Sequence, residues 1–128
     1  MIQPCPCGAG LAYAHCCGRW HAGPQHLRAP TAEALMRSRY SAYVLEDAEY
    51  LQQTWHTSTR STTPAPFEPG LRWLGLEVRK HTQKQDADHA TVEFVARSKS
   101  GGRAFRLHET SRFVRQGGRW YYLDGEIA

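Results

Sequence analysis

The chain has 128 residues, a formal net charge of +4, and a composition that is 41% hydrophobic and 22% charged. This length predicts one domain that can bury a core, and the composition argues against wholesale disorder. No apolar run approaches the ~20 residues that span a bilayer, and the first residues lack the pattern of a secretory signal. We therefore expect a cytoplasmic protein that does not enter a membrane.

All four cysteines lie in residues 1–22, a segment with no sustained helical or strand period. Cys5 and Cys7 form one pair, and after eight further residues Cys16 and Cys17 form the other. Four thiolates are the complete ligand set of a structural zinc site, whose closed shell leaves no position for catalysis. We predict that these four side chains bind one Zn²⁺ and that zinc is the cofactor.

Three alternatives to this ligand set remain open from the residues alone. Two disulfides would use the same cysteines, but the missing secretory signal favours a compartment that keeps thiols reduced. Four free cysteines would leave the segment with nothing to order it. Because Cys16 and Cys17 are adjacent, His15 or His21 could also replace one of them as a ligand.

Residues 23–30 are typical of a linker, and two helices are predicted after it. Thr31 can cap the first helix. The apolar side chains that recur along it at helical spacing are Leu35, Met36, Tyr40, Tyr43 and Val44. Asp47 can cap a second, shorter helix that includes Trp55. The run over 56–70 is rich in Ser, Thr and Pro and is predicted to be a loop.

Four strands are predicted after this loop, because the hydrophobic period changes to two. They span residues 72–82, 90–99, 103–115 and 119–124. Gly101-Gly102 and Gly117-Gly118 are signals for two-residue hairpin turns, in which both central residues need positive φ. Helices followed by an antiparallel meander predict an α+β domain with the helices on one face of the sheet.

The two glycine turns also fix the register of the sheet. They place Ser111 opposite Asp124, with Glu109 nearby, on the apolar face that the helices should cover. The candidate pocket residues are Glu109, Asp124, Ser111, Tyr40 and Tyr43. Two acids shielded from water could have raised pKa values, which would suit general acid–base chemistry.

A structural role for Glu109 is the favoured alternative, since a buried acid usually has a basic partner. In that interpretation Glu109 pairs with Arg37 or Arg39 on the first helix and joins the helix to the sheet. The two interpretations differ in what surrounds the carboxylate, which is a pocket in one and an ion pair in the other.

The opposite face of the sheet is basic. Arg97 and Arg106 lie directly opposite each other in the predicted register, with His108 and Arg112 on the same face. These four residues form a candidate anion-binding face. We favour the alternative of a solvated surface, because no aromatic side chains alternate with the arginines as a nucleic-acid platform requires.

The run Cys5-Pro6-Cys7-Gly8-Ala9-Gly10, with Tyr13 and Cys16-Cys17-Gly18, resembles the SEC-C motif, the zinc-binding tail of the SecA translocation ATPase. The runs at 31–40, 54–56 and 119–122 resemble the YchJ-like family of bacterial proteins. The resemblance implies a zinc-binding motif at 1–22, a linker at 23–30, and a nuclear-transport-factor-2-like (cystatin-like) α+β domain at 31–128. It implies no particular reaction.

The sequence favours a non-enzymatic module that binds a protein partner or a small ligand, with zinc as part of the fold. One alternative is a small enzyme that uses a cavity between helix and sheet. Another is binding to nucleic acid or the ribosome through the basic face, for which the support is weakest. The sequence contains no phosphate-binding glycine loop, dinucleotide fingerprint or nucleophile elbow.

Overall fold

A computed structural model of the chain describes residues 3–63, 67–83 and 87–128. Residues 64–66, in the loop predicted over 56–70, and residues 84–86, between the first two predicted strands, lie outside the described residues. The elements in chain order are a 3-10 turn at Tyr13–His15, helices α1 (Gly18–His21), α2 (Ala32–Val44) and α3 (Ala48–Gln53), and strands β1 (Arg72–Gln83), β2 (His89–Ser100), β3 (Arg103–Gln116) and β4 (Arg119–Ile127). The predicted α+β class is confirmed. None of the described helices is long and apolar enough to cross a membrane.

Both predicted helix caps are confirmed. Thr31 Oγ1 accepts a hydrogen bond of 3.0 Å from the Ala34 amide at the start of α2. Asp47 Oδ1 accepts one of 3.1 Å from the Tyr50 amide at the start of α3. These bonds satisfy amides that have no partner within their helix. Trp55 was predicted on the second helix but lies beyond its end, where it forms an isolated parallel bridge with Tyr122.

The sheet is an antiparallel meander in the order β1-β2-β3-β4. Both hairpin turns are formed by the predicted glycine pairs, with φ of 57° and 78° in the first and 60° and 78° in the second. Only glycine adopts two such angles in succession at little cost, so the turns and the register are set locally. The first turn also fixes Glu109 opposite Phe94, and the second fixes Phe113 opposite Tyr122.

The predicted pairing of Ser111 with Asp124 is wrong. The register shifts between Phe113, opposite Tyr122, and Arg112, opposite Asp124, which leaves Leu123 as an extra residue in β4. Such a bulge reverses the face to which the following side chains point. Asp124 therefore lies on the outer face, and Gly125 takes the position opposite Ser111.

One cluster of buried side chains joins the N-terminal segment, the helices and the inner face of the sheet. It contains all four cysteines and Trp20 together with Leu35 of α2 and Val92 of β2. The Arg37 side chain of α2 also donates a hydrogen bond of 3.1 Å from Nη1 to the Cys7 carbonyl oxygen. The cysteine segment is thus packed against α2 as part of the main core.

Candidate functional site

The first cysteine pair lies in a tight turn near the N-terminus. An antiparallel bridge between Pro4 and Ala12 closes this turn, and the Cys5 amide donates to the Leu11 carbonyl oxygen at 2.9 Å. The Gly8 amide donates to the Cys5 carbonyl oxygen at 3.2 Å. These backbone bonds hold Cys5 and Cys7 on the inner side of the turn, where both are buried.

The second pair lies where the 3-10 turn passes into α1. The Cys16 amide donates to the Tyr13 carbonyl oxygen at 3.0 Å, and the Cys17 carbonyl oxygen accepts from the Trp20 amide at 3.0 Å. Gly18 is required here because a Cβ at this position would lie 2.7 Å from the Tyr13 carbonyl oxygen. The backbone at Tyr13 and at Gly18 thus lies close together, and the side chains of Cys16 and Cys17 between them are buried in the core.

The four cysteine Sγ atoms all lie within 4.8 Å of one another, and all four side chains are buried and free of disulfides. The Sγ atoms of Cys7 and Cys16 are 3.6 Å apart. Four sulfurs placed tetrahedrally at 2.3 Å from a zinc ion would be about 3.8 Å apart. The cluster therefore fits a four-coordinate metal ion in both ligand number and spacing.

The surroundings of the cluster favour a negative charge on one sulfur, that of Cys7. Hydrogen bonding with Cys17 lowers the pKa of Cys7 to about 4 against the opposing effect of burial, and a backbone hydrogen bond from Ala9 adds to the lowering. Burial raises the pKa of Cys16 to about 11, and hydrogen bonding with Cys7 raises the pKa of Cys17. The Ser41 hydroxyl lies 3.6 Å from Cys5 Sγ. Arg37, which binds the Cys7 carbonyl oxygen, brings a positive charge to the same place. A thiolate is the form that binds metal.

Neither histidine considered as an alternative ligand is part of the cluster. His21 uses both ring nitrogens elsewhere, with Nδ1 at 2.6 Å from the Tyr13 hydroxyl and Nε2 at 2.8 Å from the Ser38 carbonyl oxygen. His15 is exposed on the 3-10 turn. The ligand set that the structure brings together is the four cysteines.

A cavity of about 330 Å³ lies between α2 and the inner face of the sheet. At about 30 Å³ per molecule of liquid water it has room for roughly ten waters. Seven of its thirteen lining residues are aromatic. Trp73, Phe94 and Phe113 come from the sheet, and Tyr43 comes from α2. Apolar walls with few polar groups are typical of small-molecule sites of this size.

Arg39 of α2 is the cation of this cavity. It is 6% exposed, and its Nη1 donates to the Leu51 carbonyl oxygen at 2.8 Å and to Thr54 Oγ1 at 2.7 Å. The guanidinium carbon lies 4.6 Å from the centroid of the Tyr122 ring. Burial lowers the pKa of Arg39, but a guanidinium remains charged at neutral pH. In the described part of the chain Arg39 forms no ion pair.

Glu109 of β3 is the acid of this cavity. Ser111 Oγ donates a hydrogen bond of 2.5 Å to Glu109 Oε2. The carboxyl group lies against Gly125, where a Cβ would be only 2.3 Å from Oε2. The missing side chain at Gly125 therefore gives the carboxyl group its space. The bulge in β4 places this glycine, rather than Asp124, beside Glu109.

The cavity contains four of the five predicted pocket residues, Tyr40, Tyr43, Glu109 and Ser111. Asp124 does not line it. On the outer face it forms a bidentate pair with Arg112, whose Nε lies 2.5 Å from Oδ1. That hydrogen bonding lowers the pKa of Asp124.

The favoured structural role for Glu109 is not what the described residues show. Arg37 binds Glu33, with Nε at 3.0 Å from Oε2. Arg39 lines the same cavity as Glu109, and no salt bridge joins the two among the residues described. The acid is therefore near a basic side chain without being neutralised by contact with it.

The candidate anion face is already partly neutralised by acids. Arg97 and Arg106 are opposite each other as predicted. His108 Nε2 lies 2.6 Å from Glu93 Oε2, and Arg112 is held by the carboxylate described above. Only two of the four predicted residues therefore lack an acidic partner in the described part of the chain.

The sequence interpretation missed Arg39 as a cavity residue and missed Trp55, Trp73 and Tyr122 as its aromatic walls. A signal for Arg39 exists, because it follows Leu35 by four residues and Met36 by three, within the apolar stripe of α2. A cation in such a stripe indicates a buried polar site. No comparable signal connects the aromatic residues, which come from separate elements.

Two family models match the chain. The model described as "YchJ, middle NTF2-like domain" matches residues 31–125, and the model of the SEC-C motif matches residues 3–19. Both resemblances noted in the sequence, and the NTF2-like α+β fold that they imply, are confirmed.

Similar proteins agree over nearly the whole chain. A UPF0225 protein of Methylibium petroleiphilum is 64% identical over 124 residues, 97% of this chain and 88% of the relative. A UPF0225 protein of Bordetella pertussis is 59% identical over 123 residues, 96% of this chain and 92% of the relative. The solution structure of a SEC-C motif protein from Rhodopseudomonas palustris has a TM-score of 0.83 at 36% identity and covers 97% of this chain and 98% of its own. A crystal structure of a SEC-C motif protein from Psychrobacter arcticus has a TM-score of 0.80 at 35% identity, with coverage of 99% and 84%.

Proposed function

We propose that this chain, which belongs to the YchJ family and carries an SEC-C motif, is a zinc-containing protein that binds a small organic molecule between α2 and the sheet. The zinc is part of the fold, and the cavity is the functional site. The observation that carries the proposal is the cavity of about 330 Å³, which has aromatic walls. Its one buried arginine, Arg39, makes hydrogen bonds only through Nη1 among the described residues.

The structural role of zinc is supported by the composition of the cluster. Four sulfur ligands favour zinc over harder cations such as magnesium or calcium. Four protein ligands also complete the tetrahedral shell, so no position remains for substrate or an activated water. A metal bound there would supply folding free energy by joining the N-terminal turn to α1. The free, buried cysteines also support the cytoplasm, a reducing compartment, as the place of action.

A binding role for the cavity is supported by the unfavourable free energy of burying the Arg39 guanidinium. Burying a guanidinium in an apolar cavity is unfavourable unless a partner compensates for the lost water. Its hydrogen-bond partners among the described residues reach only Nη1, and the Tyr122 ring contacts the guanidinium. Nε and Nη2 therefore remain available, and a bound molecule can replace the water of the cavity as their acceptor.

The observation that suggested an enzyme, a pair of acids in the cavity, is not found among the residues that the structure describes. The enzyme alternative depended on two neighbouring acids, and the bulge in β4 moves Asp124 to the opposite face of the sheet. Glu109 remains in the cavity with one hydroxyl partner, Ser111. We therefore favour binding over catalysis.

Nuclear magnetic resonance of the zinc-loaded full chain, titrated with a library of small aliphatic and aromatic fragments, would test the proposal. Trp55 and Trp73 line the cavity, whereas Trp20 and Trp120 do not. We expect fragments that bind to shift the indole N–H signals of the first two tryptophans and to leave the other two nearly unchanged.

A cavity-filling variant provides the control for this experiment. Ala96→Leu places a larger side chain in the wall of the cavity and should abolish the shifts, whereas Ala104→Leu changes an exposed alanine of β3 and should preserve them. Fragments that bind equally to both variants, or a library in which no fragment shifts Trp55 or Trp73, would contradict the proposed function.

A further inference from the structure

The two charged side chains of the cavity define the chemistry of what binds there. Both Arg39 and Glu109 line it, so its lining carries one positive and one negative group. We infer that the ligand is a small zwitterion with a carboxylate and a cationic nitrogen, such as an amino acid or a betaine. This inference rests on the proposed function, because it names the ligand class of the same cavity.

Arg39 provides the site for the carboxylate. Both of its hydrogen bonds run from Nη1, so in the described part of the chain Nε and Nη2 have no acceptor. A guanidinium presents these donors as a planar fork that matches the two oxygens of a carboxylate. The side chain is held in place by Leu51, Thr54 and the Tyr122 ring. The donors are therefore fixed before a ligand arrives.

Glu109 and the aromatic rings provide the site for the cation. Ser111 binds Oε2 of Glu109, and among the described residues Oε1 accepts no hydrogen bond. Tyr43, Trp55 and Tyr122 line the same space. Aromatic faces attract ammonium and quaternary ammonium groups, and a neighbouring carboxylate adds charge attraction. An amine can donate to Oε1, and a methylated nitrogen can contact the rings.

Tyr122 links the two halves of the site. Its ring lies against the Arg39 guanidinium, and the negative charge of Glu109 acts on its hydroxyl. Burial, followed by the Glu109 charge, raises the pKa of Tyr122 to about 12, so its hydroxyl remains protonated at neutral pH. The hydroxyl can therefore both donate and accept a hydrogen bond to a polar ligand.

Ligands with a single charge fit this cavity less well. An anion would satisfy Arg39 but would leave the Glu109 carboxylate without a partner beside a second negative charge. A cation would satisfy Glu109 and repel Arg39 in the same way. A neutral ligand would remove water from both groups and replace neither charge. A zwitterion compensates both in one molecule, within a volume of about 330 Å³.

The test uses matched probes on the zinc-loaded full chain. The zwitterions are phenylalanine, its trimethylated betaine and the straight-chain ω-amino acids of three to eight carbons. Each is paired with the counterpart that lacks the nitrogen and the counterpart that lacks the carboxylate, and a neutral aromatic fragment completes the set. Affinities come from the Trp55 and Trp73 indole shifts. We expect at least one zwitterion to bind ten or more times tighter than both of its singly charged counterparts.

Two glutamine variants assign that preference to a residue. Glu109→Gln should reduce the preference for the zwitterion over its anion at least five-fold and should leave the affinity for the anion equal or higher. Glu126→Gln makes the same change on the outer face of the neighbouring strand and should preserve the preference. Far-ultraviolet circular dichroism of both variants checks that the fold is retained.

The outcomes separate the two proposals. If singly charged probes bind as tightly as the zwitterions, or if Glu109→Gln retains the full preference, the inference is wrong and the cavity remains a binding site. If neutral fragments shift the two indole signals and no zwitterion does, the inference is again wrong, but the proposed function of the cavity still holds. If no probe of any charge shifts them, both proposals fail.

Discussion

Replacing Gly125 with alanine should force the Glu109 carboxyl group from its place and destabilise the protein. A Cβ at Gly125 would lie 2.3 Å from Glu109 Oε2 and 2.6 Å from Cδ, separations that real Cβ atoms do not show. The Glu109 side chain can rotate away, but the hydrogen bond of 2.5 Å from Ser111 is then lost. Because Ser111 is only 2% exposed, its hydroxyl must then find another acceptor within the cavity that it lines.

The size of the effect follows from two opposing contributions. A hydrogen bond to a charged group contributes about 1.5–3 kcal/mol, and exchanging a strand glycine for alanine returns roughly 0.5–1 kcal/mol. We expect the free energy of unfolding to fall by about 1–2 kcal/mol. For a chain of this length, the usual entropy of unfolding per residue converts this into a fall in Tm of roughly 4–7 °C.

Urea and thermal unfolding followed by circular dichroism would measure this change. Gly75→Ala is the matched control, because Gly75 is also in a strand and has no atom within 4 Å of a built Cβ. That variant should be neutral or slightly stabilising. A double-mutant cycle adds Gly125→Ala to Glu109→Ala, where the steric conflict no longer exists. If Gly125→Ala costs the same with and without the Glu109 carboxyl group, the reasoning is refuted.

Three further predictions concern other parts of the molecule. Cys7→Ser should reduce the zinc content, measured by elemental analysis, from about one ion per chain to nearly none. It should also lower Tm, because the cysteine cluster is part of the main core. Full zinc content in this variant would contradict the ligand assignment. Thr31→Ala removes the cap of α2 and should lower the free energy of unfolding by about 1 kcal/mol in urea titrations, and an unchanged midpoint would count against it. Hydrogen bonding with Arg112 lowers the pKa of Asp124 in the folded state, so the pair stabilises the fold above the unfolded-state pKa of about 3.9, and that contribution is lost as the pH falls through the lower folded pKa. The Tm difference between the wild type and Asp124→Asn should therefore shrink on acidification, and a difference that grew would refute the assignment.

The features that were correctly predicted depend on a few neighbouring residues. A helix cap needs one side chain and an amide three residues later, as at Thr31 and Asp47. A two-residue turn needs two glycines, and it determines the pairing of the strands it joins. The cysteine cluster also follows from the local sequence, since all four side chains lie within a short segment.

The features that were missed depend on distant parts of the chain. The bulge at Leu123 adds one residue to β4, and the alternation of apolar residues before it gives no sign of the change. A single extra residue exchanged Asp124 for Gly125 beside Glu109. The cavity is equally non-local, because its volume depends on how far α2 stands from the sheet. Sequence patterns identify which faces meet, but they do not determine the space left between them.

The order of elements along the chain has a consequence for how the protein is made. Every neighbouring pair of strands in the sheet is consecutive in sequence, so each hairpin can close soon after its second strand leaves the ribosome. The cysteines and α2 precede the four strands in the sequence, so they leave the ribosome before the sheet against which α2 packs. Tyr122, the aromatic partner of Arg39, belongs to β4, which follows the other three strands in the sequence. The apolar face of α2 is therefore covered in steps, and the part that packs against β4 stays open to aggregation or chaperone capture until that strand is made.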